Sequence, residues 1–373
     1  MATSSLMSKM LKSAGKTAQV LDSSDYAEKP VLCTMAVAIA NVMLSGDLDG
    51  GLKAGLTQVI GDSRTFKTNF CLMLVKSYLD KYPDAVCVFL DNEFGAAQYF
   101  EPMGIDRSRV IHIPVTDIED LKQRTVAMLE EVENKDHVIF FLDSLSQIAS
   151  LKETEDAKSG KVVADMTRAK MINSYMRIIT PRFTMKNIPF VFINNYYDDT
   201  SSPYAEPIIK GGAQVFLSSD TIFFVTRSQV KDEEKTLTGW NFNYSIMKSR
   251  TVKEKSKFTI EVLYNGGINV NSSLFDLAMD SGFIIAPKQG WYQITLPGMV
   301  TDKSVRKKDI EANQTFFDNL IKNKDFKEYV HKRYALSAGE FFEDKDAVKM
   351  PTIIDEETGE VIAVSMVKSP EDN

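Results

Sequence analysis

Apolar runs of about five residues recur along the middle of the chain, and longer segments with helical periodicity separate them. The runs are continuously apolar and do not alternate with polar residues, which is typical of strands buried on both faces of a parallel sheet. This repeated strand–helix pattern predicts an α/β protein with a mostly parallel sheet flanked by helices. The predicted strands are 56–61, 86–91, 110–113, 138–143, 190–194 and 221–226, and the clearest intervening helices are 69–81, 118–134 and 164–179.

The pattern changes towards both ends of the chain. A short amphipathic helix with Leu6, Met7, Met10 and Leu11 on one face opens the sequence, and it is expected to pack on its own core or on a neighbouring copy. Beyond the parallel strands, 242–248 and 257–264 have the pattern of an antiparallel pair at the sheet edge, followed by predicted helices at 309–325 and 326–336. The predicted division is an N-terminal helix and linker for oligomerisation (1–34), an α/β core (35–286), a small C-terminal domain (287–339) and an acidic tail (340–373).

Charge is distributed unevenly along the 373 residues. The net charge is −7, and the span from Glu340 to Asn373 alone holds ten acidic and three basic residues, so the rest of the chain is neutral. A neutral body can present basic faces to a polyanion, while the acidic tail competes with one. Neither a signal-peptide core nor an apolar run of membrane-spanning length is found in the sequence, so we expect a soluble intracellular protein with its three cysteines in the core.

Residues 61–68, hereafter the phosphate cradle, lie between a predicted strand and a predicted helix. A strand, a tight turn and a helix that opens with Lys-Thr form an anion site, because backbone N–H groups of the turn and helix start point at the ligand. Lys67 would reach the outer phosphates and the Thr68 hydroxyl a Mg²⁺ ion. Phe66 stands where this motif usually has glycine, so we expect the helix start, and not that side chain, to supply the phosphate contacts. The cradle residues expected to bind the nucleotide are Gly61, Ser63, Arg64, Thr65, Phe66, Lys67 and Thr68.

Polar residues also follow three other predicted strands, and the carboxyl ends of such strands are where α/β sheets bind ligands. Asp143 ends an apolar strand and suits Mg²⁺ binding together with Thr68, although a strand-terminal Asp is as often a helix cap. Asp91 and Glu93 end a strand expected to lie beside the cradle, and either could orient the attacking water. The amides of Asn194 and Asn195 would sense the γ-phosphate or simply form a turn.

Two long polar segments, 151–163 and 196–212, leave the same predicted sheet edge and are expected to be loops. Basic groups and glycine at loop edges suit single-stranded nucleic acid, although a plain solvated loop has the same composition. A third segment, 248–257, holds five basic residues in ten and is either a solvated hairpin turn or a source of cations for a phosphate. The candidate DNA-contacting residues are Arg168, Lys170, Arg177, Lys210, Gly211 and Gly212.

Taken together, these stretches resemble RecA-family recombinases, and more specifically those of T-even-type bacteriophages. Phenylalanine before the cradle lysine is typical of that phage group. The resemblance covers about 36–336, and the stretches that carry it are 44–46, 50–51, 66–70, 82–87, 93–95, 152–157, 165–170 and 248–258.

The resemblance implies a DNA-dependent ATPase that uses ATP and Mg²⁺, coats single-stranded DNA as a helical filament, and exchanges strands with homologous duplex DNA. It implies that Glu93 activates water, that Tyr99 stacks on adenine, and that Asn195 stands where RecA has glutamine. Lys248 and Arg250 match a pair of cations that reach ATP across the subunit interface. The segments 151–163 and 195–212 match the two DNA-binding loops.

The partners implied by the resemblance are further copies of the chain, a mediator, a single-strand-binding protein and a replication helicase, in the cytoplasm of an infected bacterium and with no membrane. Two other classes remain open on the sequence alone. One is another P-loop enzyme, such as a ring helicase or a small-molecule kinase. The other is a non-hydrolysing filament in which ATP only joins the subunits.

Overall fold

The computed structural model describes residues 5–15, 17–25, 27, 29–160, 167–198, 207–336, 353–354 and 361–362. The strands in these ranges are β1 (Val31–Cys33), β2 (Leu52–Lys53), β3 (Gly55–Gly61), β4 (Val86–Asp91), β5 (Val110–Pro114), β6 (Val138–Asp143), β7 (Pro189–Asn194), β8 (Tyr196–Tyr197), β9 (Ile208–Ile209), β10 (Thr221–Lys231), β11 (Leu237–Lys248), β12 (Lys257–Leu263), β13 (Gly267–Ile268), β14 (Ile284–Lys288), β15 (Trp291–Ile294), β16 (Ile353–Ile354) and β17 (Val361–Ile362).

The α-helices alternate with the strands through the first half of the chain, as predicted. None of the described helices is both long and apolar enough to cross a bilayer. They are α1 (Ser5–Ala14), α2 (Ala38–Ser45), α3 (Lys67–Lys81), α4 (Ile118–Glu131), α5 (Leu151–Lys158), α6 (Thr167–Met185), α7 (Ala213–Ser218), α8 (Leu274–Asp280), α9 (Lys307–Glu311), α10 (Gln314–Leu320) and α11 (Lys324–Tyr334).

Within the described ranges, the main sheet has nine strands in the order β13-β12-β11-β10-β3-β7-β6-β4-β5. The six from β10 to β5 run parallel, and β11 to β13 extend one edge as antiparallel strands. The predicted fold class and the predicted antiparallel edge are therefore confirmed. The expectation that β4 lies beside the cradle strand β3 is wrong, because β7 and β6 separate them.

Both faces of the inner parallel strands β3, β7, β6 and β4 are buried, which explains why their sequences are continuously apolar. Along β6, Ile139 and Phe141 face one core while Phe140 and Leu142 face the other. The first core also holds α2, α3 and the C-terminal helices, and the second holds α4 and α6. All three cysteines are buried and unpaired, as expected for core residues.

The C-terminal part of this unit differs from the predicted single helix at 309–325. Two helices, α9 and α10, are found there, because the Asn313 side chain accepts a hydrogen bond from the N–H of Phe316 and starts a new helix. Their buried Phe316 and Phe317 belong to the same core as α3.

Residues up to Leu336 form one compact unit and the remaining residues form a second. The described part of the second unit is the antiparallel pair β16–β17. Division of the first unit at 34 and 286 stays a prediction, as does the tail boundary at 339.

Candidate nucleotide site and nucleic-acid loops

The phosphate cradle is the turn between the end of β3 and the start of α3. Gly61, with a φ of +152°, passes so close to β10 that a Cβ there would lie 2.3 Å from the carbonyl oxygen of Val225. Arg64 and Phe66 both take left-handed backbone conformations, with φ of 62° and 66°. The left-handed residues and the close approach to β10 thus make this a tight turn directly before the N-terminus of α3.

Phe66 precedes α3 in a left-handed conformation that glycine adopts at lower cost. Its ring stacks on Phe242 of β11, with centroids 4.8 Å apart and planes at 20°. It packs against the first core. A stacked pair contributes about 0.5–1.5 kcal/mol, which offsets much of the backbone strain of about 1–2 kcal/mol.

Lys67 bends back over the cradle. Its ammonium donates to the carbonyl oxygens of Gly61 and Asp62 at 2.8 and 2.6 Å. Burial lowers the pKa of Lys67, and the negative charges of Glu93 and Asp143 oppose that shift. Two main-chain carbonyls therefore hold the ammonium over the cradle turn.

Thr68 and Asp143 meet at the mouth of the cradle. The threonine hydroxyl donates to Asp143 Oδ2 at 2.9 Å. Burial, with a further contribution from the charge of Glu93, raises the pKa of Asp143 to about 7, and the Thr68 hydrogen bond opposes the shift. A buried carboxylate next to a hydroxyl is a donor set of hard oxygens, which is the kind that Mg²⁺ prefers.

The sequence left Asp91 and Glu93 as equal candidates, and the structure gives them different surroundings. Glu93 lines the cleft above the cradle, and its Oε1 accepts a hydrogen bond of 2.5 Å from the Ser144 hydroxyl. Asp91 is fully buried and accepts hydrogen bonds from the N–H groups of Glu93 and Phe94. Of these two carboxylates, only Glu93 therefore lines the cleft.

One cleft of about 490 Å³ brings most of the predicted nucleotide residues together. Sequence reasoning missed Gln147 and Tyr196. The Tyr196 hydroxyl donates to Asp62 Oδ1 at 2.9 Å, and its place directly after Asn195 is the only sequence signal for it. The lining comprises all residues from Gly61 to Asn69, with Glu93, Tyr99, Asp143, Gln147, Ile193, Asn195, Tyr196 and Lys210.

The predicted loop 151–163 begins as a helix. α5 starts with a capping box, in which the Ser150 hydroxyl and the Glu153 carboxylate each bond the other residue's N–H. That part of the loop prediction is wrong, because the capping pair stabilises a helix despite the polar composition. Residues 161–163 of this segment, and 164–166 after it, lie outside the described part of the chain.

In the second predicted loop, β8 at the start pairs with β9 near the end as a short antiparallel ladder. The buried Asn194 is a structural residue whose amide donates to the carbonyl of Lys210 at 2.8 Å, while Asn195 lines the cleft. Gly211 and Gly212 follow with φ of +100° and +91° and lead into α7. Residues 199–206 are outside the described ranges.

The three candidate DNA-contacting residues of α6 do not line the cleft. Arg168 donates to the carbonyl oxygens of Ile148, at 2.6 Å, and Ser146, so its guanidinium fastens α6 to the segment after β6. Lys170 and Arg177 are exposed on the helix surface.

Lys248 and Arg250 also lie outside the cleft, at the end of β11. The Lys248 ammonium donates to the carbonyls of Phe216 and Leu217 at 2.8 and 2.9 Å. Arg250 Nε donates to Asp220 Oδ1 at 2.6 Å. Neither cation contacts the cradle of its own subunit.

The parallel sheet with this cradle at its carboxyl edge is the nucleotide-binding core of RecA-like proteins, and sequence comparison agrees. The chain is 23% identical to Protein RecA of Chlorobaculum tepidum over 73% of its length and 77% of that protein, and 23% identical to Protein RecA of Mycobacterium ulcerans over 74% and 78%.

A more similar relative is the recombination and repair protein of Enterobacteria phage T4, known as UvsX. It is 41% identical over 99% of this chain and 94% of its own length. The family model of that protein's C-terminal domain matches residues 271–330. The chain belongs to the UvsX family of RecA-like recombinases.

Proposed function

We propose that the chain is an ATP- and single-stranded-DNA-dependent recombinase that forms helical filaments and carries out homologous pairing and strand exchange in recombination, repair and replication. The observation that carries the proposal is that one cleft joins the phosphate cradle to both ends of the second polar loop. Asn195 and Lys210 line the same cleft as Lys67 and Glu93. A ligand that reorders this loop would therefore act directly on the nucleotide site.

The reaction is hydrolysis of ATP to ADP and phosphate. Water attacks the γ-phosphorus, the bond to the β–γ bridging oxygen breaks, and the proton of the water passes to Glu93. Lys67 stabilises charge on the outer phosphate oxygens, and Tyr99 stacks on adenine. Thr68 and Asp143 would hold Mg²⁺, which neutralises phosphate charge when bound.

Single-stranded DNA is the proposed activator, with homologous duplex DNA as the second substrate. The exposed side chains of Lys170 and Arg177 supply positive charge that binds the phosphate backbone of the DNA. The paired glycines after Lys210 allow close approach of the main chain to phosphates. Arg168 contributes by fixing the segment after β6, through its bonds to main-chain carbonyls.

Neighbouring copies of the chain complete the site in this proposal. Lys248 and Arg250 are held by carbonyls and by Asp220 away from their own cleft, which suits cations that serve the ATP of the next subunit. The exposed Leu6 and Met10 of α1 suit a contact between copies. A mediator, a single-strand-binding protein and a replication helicase are proposed as further partners, and the host cytoplasm as the compartment.

Electron microscopy with single-stranded DNA and a non-hydrolysable ATP analogue tests this proposal. We expect helical filaments that require both ligands. The matched variant Lys67→Ala should form none, while Lys81→Ala, at the other end of α3, should assemble normally. Closed rings would indicate a helicase-like motor, and a monomer indifferent to DNA would contradict the proposal.

A further inference from the structure

Glu93 lies on a short turn after β4, and the Asp91 side chain holds this turn by two hydrogen bonds. Asp91 Oδ1 accepts hydrogen bonds from the N–H of Glu93 at 3.1 Å and of Phe94 at 2.8 Å. Its Oδ2 lies 3.0 Å from Nε2 of His112 on the edge strand β5. The carboxylate is fully buried, so these three partners replace its water.

The same turn is held from the opposite side by Ser144, the residue that follows β6. The Asn92 Oδ1 accepts from the N–H of Ser144 at 2.5 Å, and the Ser144 hydroxyl donates to Glu93 Oε1 at 2.5 Å. Phe94 takes a left-handed φ of 57°, which is strained for a residue with a side chain. The turn therefore keeps its shape because bonds from two neighbouring strands hold it.

His112 is suited to this role by its own packing. Its ring stacks on Phe89, with centroids 5.2 Å apart and planes at 16°, and Phe89 is its register partner on β4. The imidazole is thus fixed in orientation while its Nε2 faces Asp91. Neither Asp91 nor His112 lines the cleft, and the hydrogen bonds of Asp91 to the turn connect both residues to Glu93.

We propose that Asp91 and His112 are positioning residues for Glu93, and that loosening them slows ATP hydrolysis without weakening ATP binding. The inference rests on the proposed function, in which Glu93 orients the attacking water. A general base contributes about 10²–10⁴-fold to a rate, and a misplacement of about 1 Å can cost about 10²-fold. The cradle that binds the phosphates is built from β3 and α3 and does not include this turn.

The chain offers a matched control for the carboxylate–imidazole pair. Asp84 and His137 form a similar pair, with 2.9 Å between Oδ2 and Nδ1, at the opposite ends of β4 and β6. Seven residues separate Asp84 from Asp91 along the strand direction, which is about 20 Å in extended chain. Loss of this second pair should leave hydrolysis unchanged.

Steady-state ATPase assays with single-stranded DNA on full-length variants test the inference. Asp91→Ala should lower kcat about 10–100-fold with KM for ATP unchanged. Asp91→Asn should restore most of the rate, since its amide oxygen still accepts both N–H groups and its amide N–H can donate to a neutral His112. His112→Ala, on the edge strand, should lower kcat several-fold and remain folded, whereas His137→Ala should match the wild type.

The outcomes separate this inference from the function on which it rests. Wild-type kcat in both Asp91→Ala and His112→Ala would overturn it, and so would a raised KM with kcat unchanged. Filament assembly with a non-hydrolysable analogue should be normal in His112→Ala, and failure there would also contradict a role confined to Glu93. Absence of hydrolysis in the wild type would instead overturn the proposed function itself.

Discussion

The hydroxyl of Thr68 donates a 2.9 Å hydrogen bond to the carboxylate of Asp143, which is 75 residues further along the chain. Thr68 is in the first turn of α3 and Asp143 ends β6. The parallel sheet brings them together because both elements meet at its carboxyl edge. Burial raises the pKa of this carboxyl to about 7, so in the nucleotide-free protein Asp143 carries a proton for part of the time at neutral pH.

Binding of Mg²⁺ and nucleotide is therefore expected to release a proton. A cation favours the charged carboxylate and displaces the proton that burial retains. Calorimetric titration with MgADP at pH 6.5, in buffers of different ionisation enthalpy, should show release of up to about one proton. Asp143→Asn should abolish that release, and equal release in the variant would contradict the assignment.

The same carboxyl predicts the sign of a stability change with pH. Between the ordinary carboxyl pKa of 3.8 and the folded value of about 7, the folded protein holds a proton that the unfolded chain has lost. The contribution of Asp143 to the free energy of unfolding consequently falls as pH rises through this window. Thermal unfolding without nucleotide should show Asp143→Asn gaining stability relative to wild type from pH 4 to 7. A fall in the stability of Asp143→Asn relative to wild type over this pH range would contradict the account.

Phe66 is expected to matter for stability more than for nucleotide binding. Phe66→Gly relieves the left-handed strain but loses the stack on Phe242 and its burial, so the free energy of unfolding should fall by about 1–3 kcal/mol. Nucleotide affinity should change by less than about threefold, because the backbone supplies the phosphate contacts. Phe242→Ala removes the same stack but leaves Phe66 strained and empties a buried position, so it should cost more stability while changing nucleotide affinity as little. A loss of affinity as large as that of Lys67→Ala would mean that the ring itself shapes the cradle.

Gly61 should tolerate substitution less than a glycine that also has a positive φ but lies in open space. Gly61→Ala would place its Cβ 2.3 Å from the Val225 carbonyl oxygen, while at Gly282, with a φ of +81°, an added Cβ would meet no heavy atom within 4 Å. We expect Gly282→Ala to cost about 1–2 kcal/mol of strain alone, and Gly61→Ala about 1–3 kcal/mol more through the clash. Denaturant unfolding measures both, and equal losses would contradict the close approach of β3 to β10.

Much of the fold follows from local patterns in the sequence. β4 and β6 have the predicted bounds because each is a buried apolar run that ends at a carboxylate. α5 and the break before α10 were missed because single capping side chains, Ser150 and Asn313, decide them against the surrounding composition.

The sequence identifies which residues form the site, but it does not give the distances between them. The cradle, Asp143 and Glu93 have recognisable sequence contexts at strand ends. The order of the strands in the sheet has no such local signal, which is why the sequence places β4 beside β3. In the structure, β7 and β6 lie between β3 and β4, and Glu93 still lines the cleft. The bonds of Lys248 to α7 and of Arg168 to Ile148 join distant segments, and no local pattern reports them.

The acidic tail is expected to compete with DNA. Removing residues 340–373 takes away ten acidic and three basic side chains. DNA binding measured by fluorescence anisotropy should tighten at moderate salt, and the gain should shrink as salt rises. A full-length variant with seven of the ten acidic residues changed to their amides, which leaves a neutral tail, should behave like the truncated one. Unchanged affinity at every salt concentration would show that the tail has no such role.

The most direct test of coupling between DNA and the nucleotide site is the rate of ATP hydrolysis with and without single-stranded DNA at saturating ATP and Mg²⁺. We predict a clear rise in rate on adding DNA. We also predict that Glu93→Gln loses about 10²–10⁴-fold of that rate while still binding nucleotide. A hydrolysis rate that is the same with and without DNA would contradict the claim that the cleft couples ATP to the DNA-binding loop.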